Sequence, residues 1–228
     1  GPGLGTLTAR LLKKGATVIA VEFDHVLAVG LHGALTKQLG ADATSKLTVI
    51  ESDILSFDLT KLPQGYKVVA NIPYYLTSHL IRILGESSNS PTYAALLVQK
   101  EVAERVCAAP GDMSMLSVSA QVFFNAYLGE FVPAELFTPP PKVDSQVLLL
   151  VRHAQPLIPA SEQKAFFRLV KAGYGERRKK LRSSLAGGLH ISKPEADALL
   201  EKAGIDGDLR AQALAISDWQ KLFAALPQ

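Results

Sequence analysis

Short apolar runs recur through the first part of the chain: Ala16-Thr17-Val18-Ile19-Ala20-Val21, Leu47-Thr48-Val49-Ile50, Lys67 to Ala70, and Ala94-Ala95-Leu96-Leu97-Val98. Runs of this length without polar alternation suit strands buried on both faces, and the helical spacings between them predict an α/β sheet with parallel order. After Ala126 the pattern changes. Tyr127 to Val132 and Val143 to Val151, joined by Pro133 to Lys142, predict an antiparallel edge pair. His153 to Ser161, with Pro156 and Pro159, reads as a linker. Beyond it the spacing predicts helices over Ser161 to about Gly173, Glu176 to about Leu185, Lys193 to Ala203, and Ser217 to Ala225. The expected organisation is an α/β domain over residues 1–152 and a small α-helical domain over 153–228. A glycine-rich turn, Gly1-Pro2-Gly3-Leu4-Gly5-Thr6-Leu7-Thr8, opens the chain with no strand ahead of it. Such turns follow a strand and open a helix, so the first, central strand is expected to be missing from this sequence.

At 228 residues and 48% hydrophobic, the chain can bury one sizeable core and a second small unit. No stretch approaches the roughly 20 apolar residues of a membrane helix, and no secretory pattern opens the chain. A cytoplasmic monomer is expected, or one in an organelle matrix if the source is eukaryotic. The single Cys107 excludes an internal disulfide, and the five histidines show no metal-ligand spacing with it, so no metal is expected. Net charge is only +3 but unevenly spread: residues 1–152 carry 12 Lys/Arg against 13 Asp/Glu, and 153–228 carry 12 against 8. The basic excess gathers at Arg177, Arg178, Lys179, Lys180 and Arg182, with Lys164, Arg168 and Lys171 upstream, a pattern that predicts contacts to nucleic-acid phosphates.

The chemistry concentrates at Asn71-Ile72-Pro73-Tyr74, where the third apolar run ends. This tetrapeptide suits methylation of an exocyclic amine. The lone pair of such an amine is delocalised into the base, so acceptors must hold its hydrogens as the nitrogen becomes pyramidal. The Asn71 side-chain carbonyl and a neighbouring backbone carbonyl can do so. Pro73 fixes the turn without adding a competing N–H, and Tyr74 offers a flat face for the base. The glycine turn lets a ligand approach the backbone closely. Glu22, at the end of the first run, is placed to accept ribose hydroxyls, and Asp53, beyond the second, to accept from an adenine amine. A dehydrogenase is disfavoured, because the turn is Gly-x-Gly-x-Gly and hydride transfer has no use for Asn-Ile-Pro-Tyr.

These segments resemble the small-subunit ribosomal RNA adenine dimethyltransferase family of the KsgA type. The likeness also covers Val98 to Arg105, Phe137-Thr138-Pro139-Pro140-Pro141-Lys142-Val143-Asp144-Ser145 and Arg177 to Leu185, and so spans nearly the whole chain. It implies a Rossmann-like, seven-stranded class I methyltransferase sheet, S-adenosylmethionine as methyl donor, and a helical domain beside a cleft for RNA. It also implies residue roles. Gly1, Gly3 and Gly5 would line the donor, Glu22 hold its ribose, Asp53 and Ile54 its adenine, and Asn71 border it while orienting the target amine. Tyr74 and Phe137 would stack on the target base, which needs aromatic surfaces once removed from its helix.

The family pattern carries a Gln-Asn-Phe-Leu-like segment and an acidic residue ahead of the glycine turn. Neither is in this sequence, and a chain lacking them is expected to bind donor and transfer methyl groups weakly. The implied reaction is direct attack by the adenine amine on the sulfonium methyl, twice on each of two adjacent adenosines of small-subunit rRNA during ribosome assembly. Three alternatives share features of this reading: a large-subunit rRNA adenine methyltransferase, a mitochondrial transcription-factor-like nucleic-acid-binding protein of the same fold, and a DNA adenine methyltransferase. The intact Glu22, Asp53, Asn71 and Tyr74 disfavour the second, and the Pro-Pro-Pro-Lys-Val-Asp-Ser segment disfavours the third.

Overall fold

A computed structural model describes every residue except Arg177 and Gln228. Internal contacts group the chain into two units, Gly1–Val98 and Gln99–Gln228, so the segment 153–228 falls inside the second.

The first unit runs α1 (Thr6–Lys13), β1 (Val18–Glu22), α2 (His25–Leu39), α3 (Ala41–Thr44), β2 (Leu47–Glu51), β3 (Lys67–Asn71), α4 (Thr77–Glu86) and β4 (Tyr93–Gln99). β1 and β2 pair in parallel, with Glu22 opposite Glu51, and β3 pairs in parallel with β4, with Asn71 opposite Leu97. Parallel pairing needs a crossover, and α2 supplies the one between β1 and β2. Among the described residues no ladder joins the β1–β2 pair to another strand. Ala9 and Leu12 of α1 pack with Ala20, Leu31, Leu35 and Leu47, so this helix and α2 cover the apolar strands. Asp24 starts α2 by accepting the Leu27 N–H at 2.9 Å, an N-cap worth about 1 kcal/mol.

The second unit contains α5 (Lys100–Val106), α6 (Met115–Gln121), β5 (Phe124–Val132), β6 (Ser145–Arg152), α7 (Gln163–Tyr174), α8 (Leu181–Leu189), α9 (Lys193–Ala203) and α10 (Ile216–Ala225). β5 and β6 are antiparallel, as the alternation predicts, with a register shift between Leu128 and Phe131. The Gln146 side chain donates to the Gly129 carbonyl there and occupies a backbone group that the irregular ladder frees. Buried Phe166, Leu169, Leu181, Leu185, Trp219 and Leu222 form the helical core. Tyr174 stacks on Trp219 at 5.6 Å between ring centres, and Phe166 meets Phe223 edge-on at 5.6 Å.

One predicted helix begins later than expected. The spacing predicts it from Glu176, but α8 starts at Leu181, and Lys180 is extended, with φ −62° and ψ 148°. The Leu181 amide donates to the Leu209 carbonyl at 2.7 Å instead of continuing a helix backwards. Arg178, Lys179 and Lys180 therefore lie in a turn ahead of α8 rather than on a helix face.

Candidate functional site

Glu22, Asp53 and Asn71 each sit at or just past the carboxyl end of a parallel strand, where open α/β sheets bind ligands. Glu22 is 7% exposed. Its Oε2 accepts the Gly3 N–H at 3.0 Å, and its Oε1 accepts those of Phe23 at 2.9 Å and Asp24 at 3.0 Å. Burial raises the pKa of this carboxyl, but the N–H groups of Asp24 and Gly3, the positive amino group of Gly1 and the N–H of Phe23 together outweigh it and hold the group below its ordinary range. With two lone pairs on each oxygen, Oε1 is filled and Oε2 keeps one acceptor position. Much of this carboxylate thus shapes the glycine turn from beneath, and the expected grip on two ribose hydroxyls is reduced to that single position.

The three glycines are not equivalent. Gly3, at φ 53°, has open space where a side chain would stand. At Gly1 a β-carbon would fall 2.5 Å from Glu22 Oε2, so only a bare backbone can lie over the carboxylate. Gly5 departs from the expected donor-lining role. It is buried, its N–H is spent on the Pro2 carbonyl at 2.9 Å, and a β-carbon there would meet Leu31 Cδ1 at 2.7 Å. Gly5 brings α1 against α2.

Asp53 is exposed. Its Oδ1 accepts the Leu55 N–H at 2.9 Å, and Oδ2 faces no protein donor among the described residues. Ile54 beside it is half-buried. Asn71 ends β3 exposed, and its side-chain amide makes no hydrogen bond among the described residues. The next residue, Ile72, is 5% exposed and anchors the turn. After Pro73 the chain makes a single 3-10 turn, Tyr74–Leu76, with Leu76 N–H on the Pro73 carbonyl at 2.9 Å and the Thr77 hydroxyl on the Tyr74 carbonyl at 3.0 Å. Tyr74 is half-buried.

Some exposed residues here are not assigned by sequence reasoning. Phe23, directly after Glu22, is 76% exposed, and Tyr75 is 84% exposed. Their signal is position alone: a large aromatic next to a polar strand end. Glu51, the register partner of Glu22, is hydrogen-bonded to His25 Nδ1 at 2.8 Å. A broad concavity of about 510 Å³ flanks α1, lined by Leu4, Thr6, Ala9, Arg10, Lys13 and Gln38. It contains none of Glu22, Asp53 and Asn71, and the chemistry, not the concavity, marks the site.

In the second unit, Phe137 is half-buried and follows a 3-10 turn, Ala134–Leu136. Asp144 Oδ1 accepts the Ala134 N–H at 2.9 Å, while the Asp144 carbonyl accepts the Lys100 N–H at 3.0 Å. The basic cluster is not the free phosphate comb that its sequence suggests. Lys179 pairs with Glu176, and Lys180 with Asp208 at 2.9 Å. Arg182 Nη2 reaches Asp208 at 2.7 Å, and its Nε lies 3.4 Å from Asp197 without hydrogen-bond geometry. Lys180 and Arg182 in turn hold the Asp208 carboxyl below its ordinary range. Arg178 is exposed, and Arg177 lies outside the described residues.

Parallel β-α-β construction with acidic and amide groups at the strand ends defines a Rossmann-like class I methyltransferase. Solved structures agree: the 23S rRNA methyltransferase ErmE matches with a TM-score of 0.71 at 28% identity, covering 100% of this chain and 89% of that one. A dimethyladenosine transferase from Plasmodium falciparum matches with a TM-score of 0.79 at 24% identity, over 97% of this chain and 86% of that one, and supports the fold alone. The chain belongs to the ribosomal RNA adenine dimethylase family, which it matches over residues 1–228. Its relatives include "Ribosomal RNA small subunit methyltransferase A" of Dehalococcoides mccartyi strain CBDB1, 41% identical over 97% of this chain and 75% of the relative. The protein of that name from Lactococcus lactis is 35% identical over 99% of this chain and 78% of its own length. The family's enzymes use S-adenosylmethionine, and the activity of this chain is rRNA adenine dimethylation.

Proposed function

We propose that this protein dimethylates the N6 amines of two adjacent adenosines in small-subunit rRNA, working as a monomer on assembling subunits in the cytoplasm or an organelle matrix. The names of its relatives support the small-subunit target. The observation that carries the site is the unspent Asn71 amide, held at the end of β3 by buried Ile72 and by Pro73.

The residues fit the donor. Gly3 leaves open space beside the turn, Glu22 Oε2 keeps one acceptor for the ribose, and Asp53 Oδ2 with the Ile54 backbone suits adenine. When bound, S-adenosylmethionine supplies an electrophilic methyl group. Asn71 Oδ1 and a neighbouring backbone carbonyl accept the amine hydrogens, which directs the nitrogen lone pair toward that methyl. Tyr74 stacks on the flipped base, and stacking is likewise the role proposed for Phe137 of the second unit. The amine loses one proton to solvent in each transfer. No side chain acts as a strong base, so positioning carries the rate. The segment 153–228 contacts RNA.

The test is labelled methyl transfer onto small and, separately, large ribosomal subunits from a strain lacking these modifications, followed by mapping of the labelled bases. Label on paired adenosines as N6,N6-dimethyl groups supports the reading; label on large-subunit rRNA alone refutes it.

A further inference from the structure

Tyr75 is 84% exposed, and its ring and hydroxyl meet no hydrogen-bond or ring partner among the described residues. A single exposed apolar side chain is ordinary. Two features set this one apart. It follows Asn71 and Tyr74 on the same turn, and the backbone that presents it is braced. Ile72, 5% exposed, anchors the turn from below. The Leu76 N–H donates to the Pro73 carbonyl at 2.9 Å, and the hydroxyl of Thr77, itself 1% exposed, donates to the Tyr74 carbonyl at 3.0 Å. The ring is thus held out in solvent by a backbone that has little ordering left to lose on contact.

Tyr74 and Tyr75 are consecutive on the 3-10 turn Tyr74–Leu76. With three residues per turn, consecutive side chains stand about 120° apart. Tyr74 is half-buried and Tyr75 exposed, so the two rings serve different surfaces, and a base stacked on Tyr74 leaves Tyr75 uncovered. Beyond the turn, Ser78 and His79 are also exposed, and the first turn of α4 holds no acidic residue. A nucleotide chain passing there meets no carboxylate from that turn.

We infer that Tyr75 stacks on the base next to the target adenosine. This rests on the rRNA substrate proposed above and adds which neighbour the site reads. Drawing one of two adjacent adenosines out of the stack uncovers a face of the other. An aromatic ring accepts such a face without reading the base's hydrogen-bonding edge, and a purine offers more of it than a pyrimidine. Tyr75 then keeps the pair splayed while Asn71 holds one amine.

The test compares the full chain with Tyr75→Ala and Tyr75→Phe in single-turnover methyl transfer to unmodified small subunits. Three kinds of subunit are used: those with both adenosines, and those assembled on rRNA in which one of the pair is replaced by guanosine or by uridine. On the natural pair, loss of one base–aromatic stack should slow Tyr75→Ala about 5- to 100-fold. Tyr75→Phe should stay within about twofold, since the ring and not the hydroxyl makes the stack. Melting temperature and donor affinity should hold in both variants, because the side chain is exposed. The wild type should act faster beside guanosine than beside uridine, and Tyr75→Ala should lose most of that preference, because both changes remove one contact. A wild-type rate in Tyr75→Ala overturns the inference, as does a guanosine preference that survives in it undiminished. Equal loss with guanosine and uridine in the wild type also overturns it, since the neighbour's edge rather than its face would then be read. A wild-type chain that leaves natural small subunits unlabelled would instead overturn the proposed function.

Discussion

The amide of Gly3 donates to Glu22 Oε2 at 3.0 Å, so the donor-side turn is held by the carboxylate expected to meet the donor. Replacing that carboxylate disturbs both partners. In Glu22→Gln one amide N–H must face the backbone donors of Gly3 or of Phe23 and Asp24. The expected cost is about 1–3 kcal/mol of stability for an unsatisfied buried group. Donor affinity should fall at least about tenfold, equivalent to about 1.4 kcal/mol. Calorimetric donor titration and thermal denaturation check the two parts separately.

The same carboxylate gives a pH dependence. Its folded-state pKa lies below the ordinary value of 4.5. The contribution is therefore complete above that value and is lost as pH falls through the lower, folded-state pKa. Wild type should lose stability below about pH 4.5 more steeply than Glu22→Gln, and the two should converge in acid. Denaturant melts from pH 6 to pH 3 would show parallel curves if the group were not linked to folding.

Gly5→Ala should act on packing rather than on the ligand. The residue has φ 86°, and a β-carbon would stand 2.7 Å from Leu31 Cδ1. A destabilisation of roughly 1–3 kcal/mol is expected from overpacking, with additional strain from the left-handed backbone. Donor affinity of the folded fraction should stay within a few-fold, measured below the variant's melting temperature.

Asp144 positions the Phe137 loop through the Ala134 N–H. Phe137→Ala should lower RNA turnover if Phe137 stacks on the base as proposed, and Asp144→Ala should lower it likewise while leaving donor affinity unchanged. Asp144→Asn keeps an acceptor oxygen and should restore most of the activity. Steady-state kinetics on small subunits, read beside thermal denaturation, separates the cases: a general folding defect in Asp144→Ala would lower the melting temperature along with turnover, whereas a positioning defect lowers turnover alone.

What the sequence reveals depends on the range of the interactions. Val18 to Val21 and Leu47 to Ile50 are readable as strands because burial on both faces leaves a continuous apolar run. Asn71 is readable because Pro73 and the preceding run fix its place at a strand end. Gly5 is misleading, since its neighbours in sequence suggest a ligand while its contacts, Leu31 and Leu35, lie a helix away. Lys180 and Arg182 look free because their acidic partners, Asp197 and Asp208, come much later in the chain. The helix expected from Glu176 begins only at Leu181 for the same reason, as the Leu209 carbonyl claims its first amide.

The most direct test of the site is Asn71→Ala, assayed for donor binding and for single-turnover methyl transfer to unmodified small subunits. The unspent amide at the end of β3 predicts that transfer is abolished while donor affinity stays within a few-fold of wild type. Transfer at near wild-type rate, or equal loss of transfer and donor binding, would contradict the assignment of Asn71 as the group that holds the target amine.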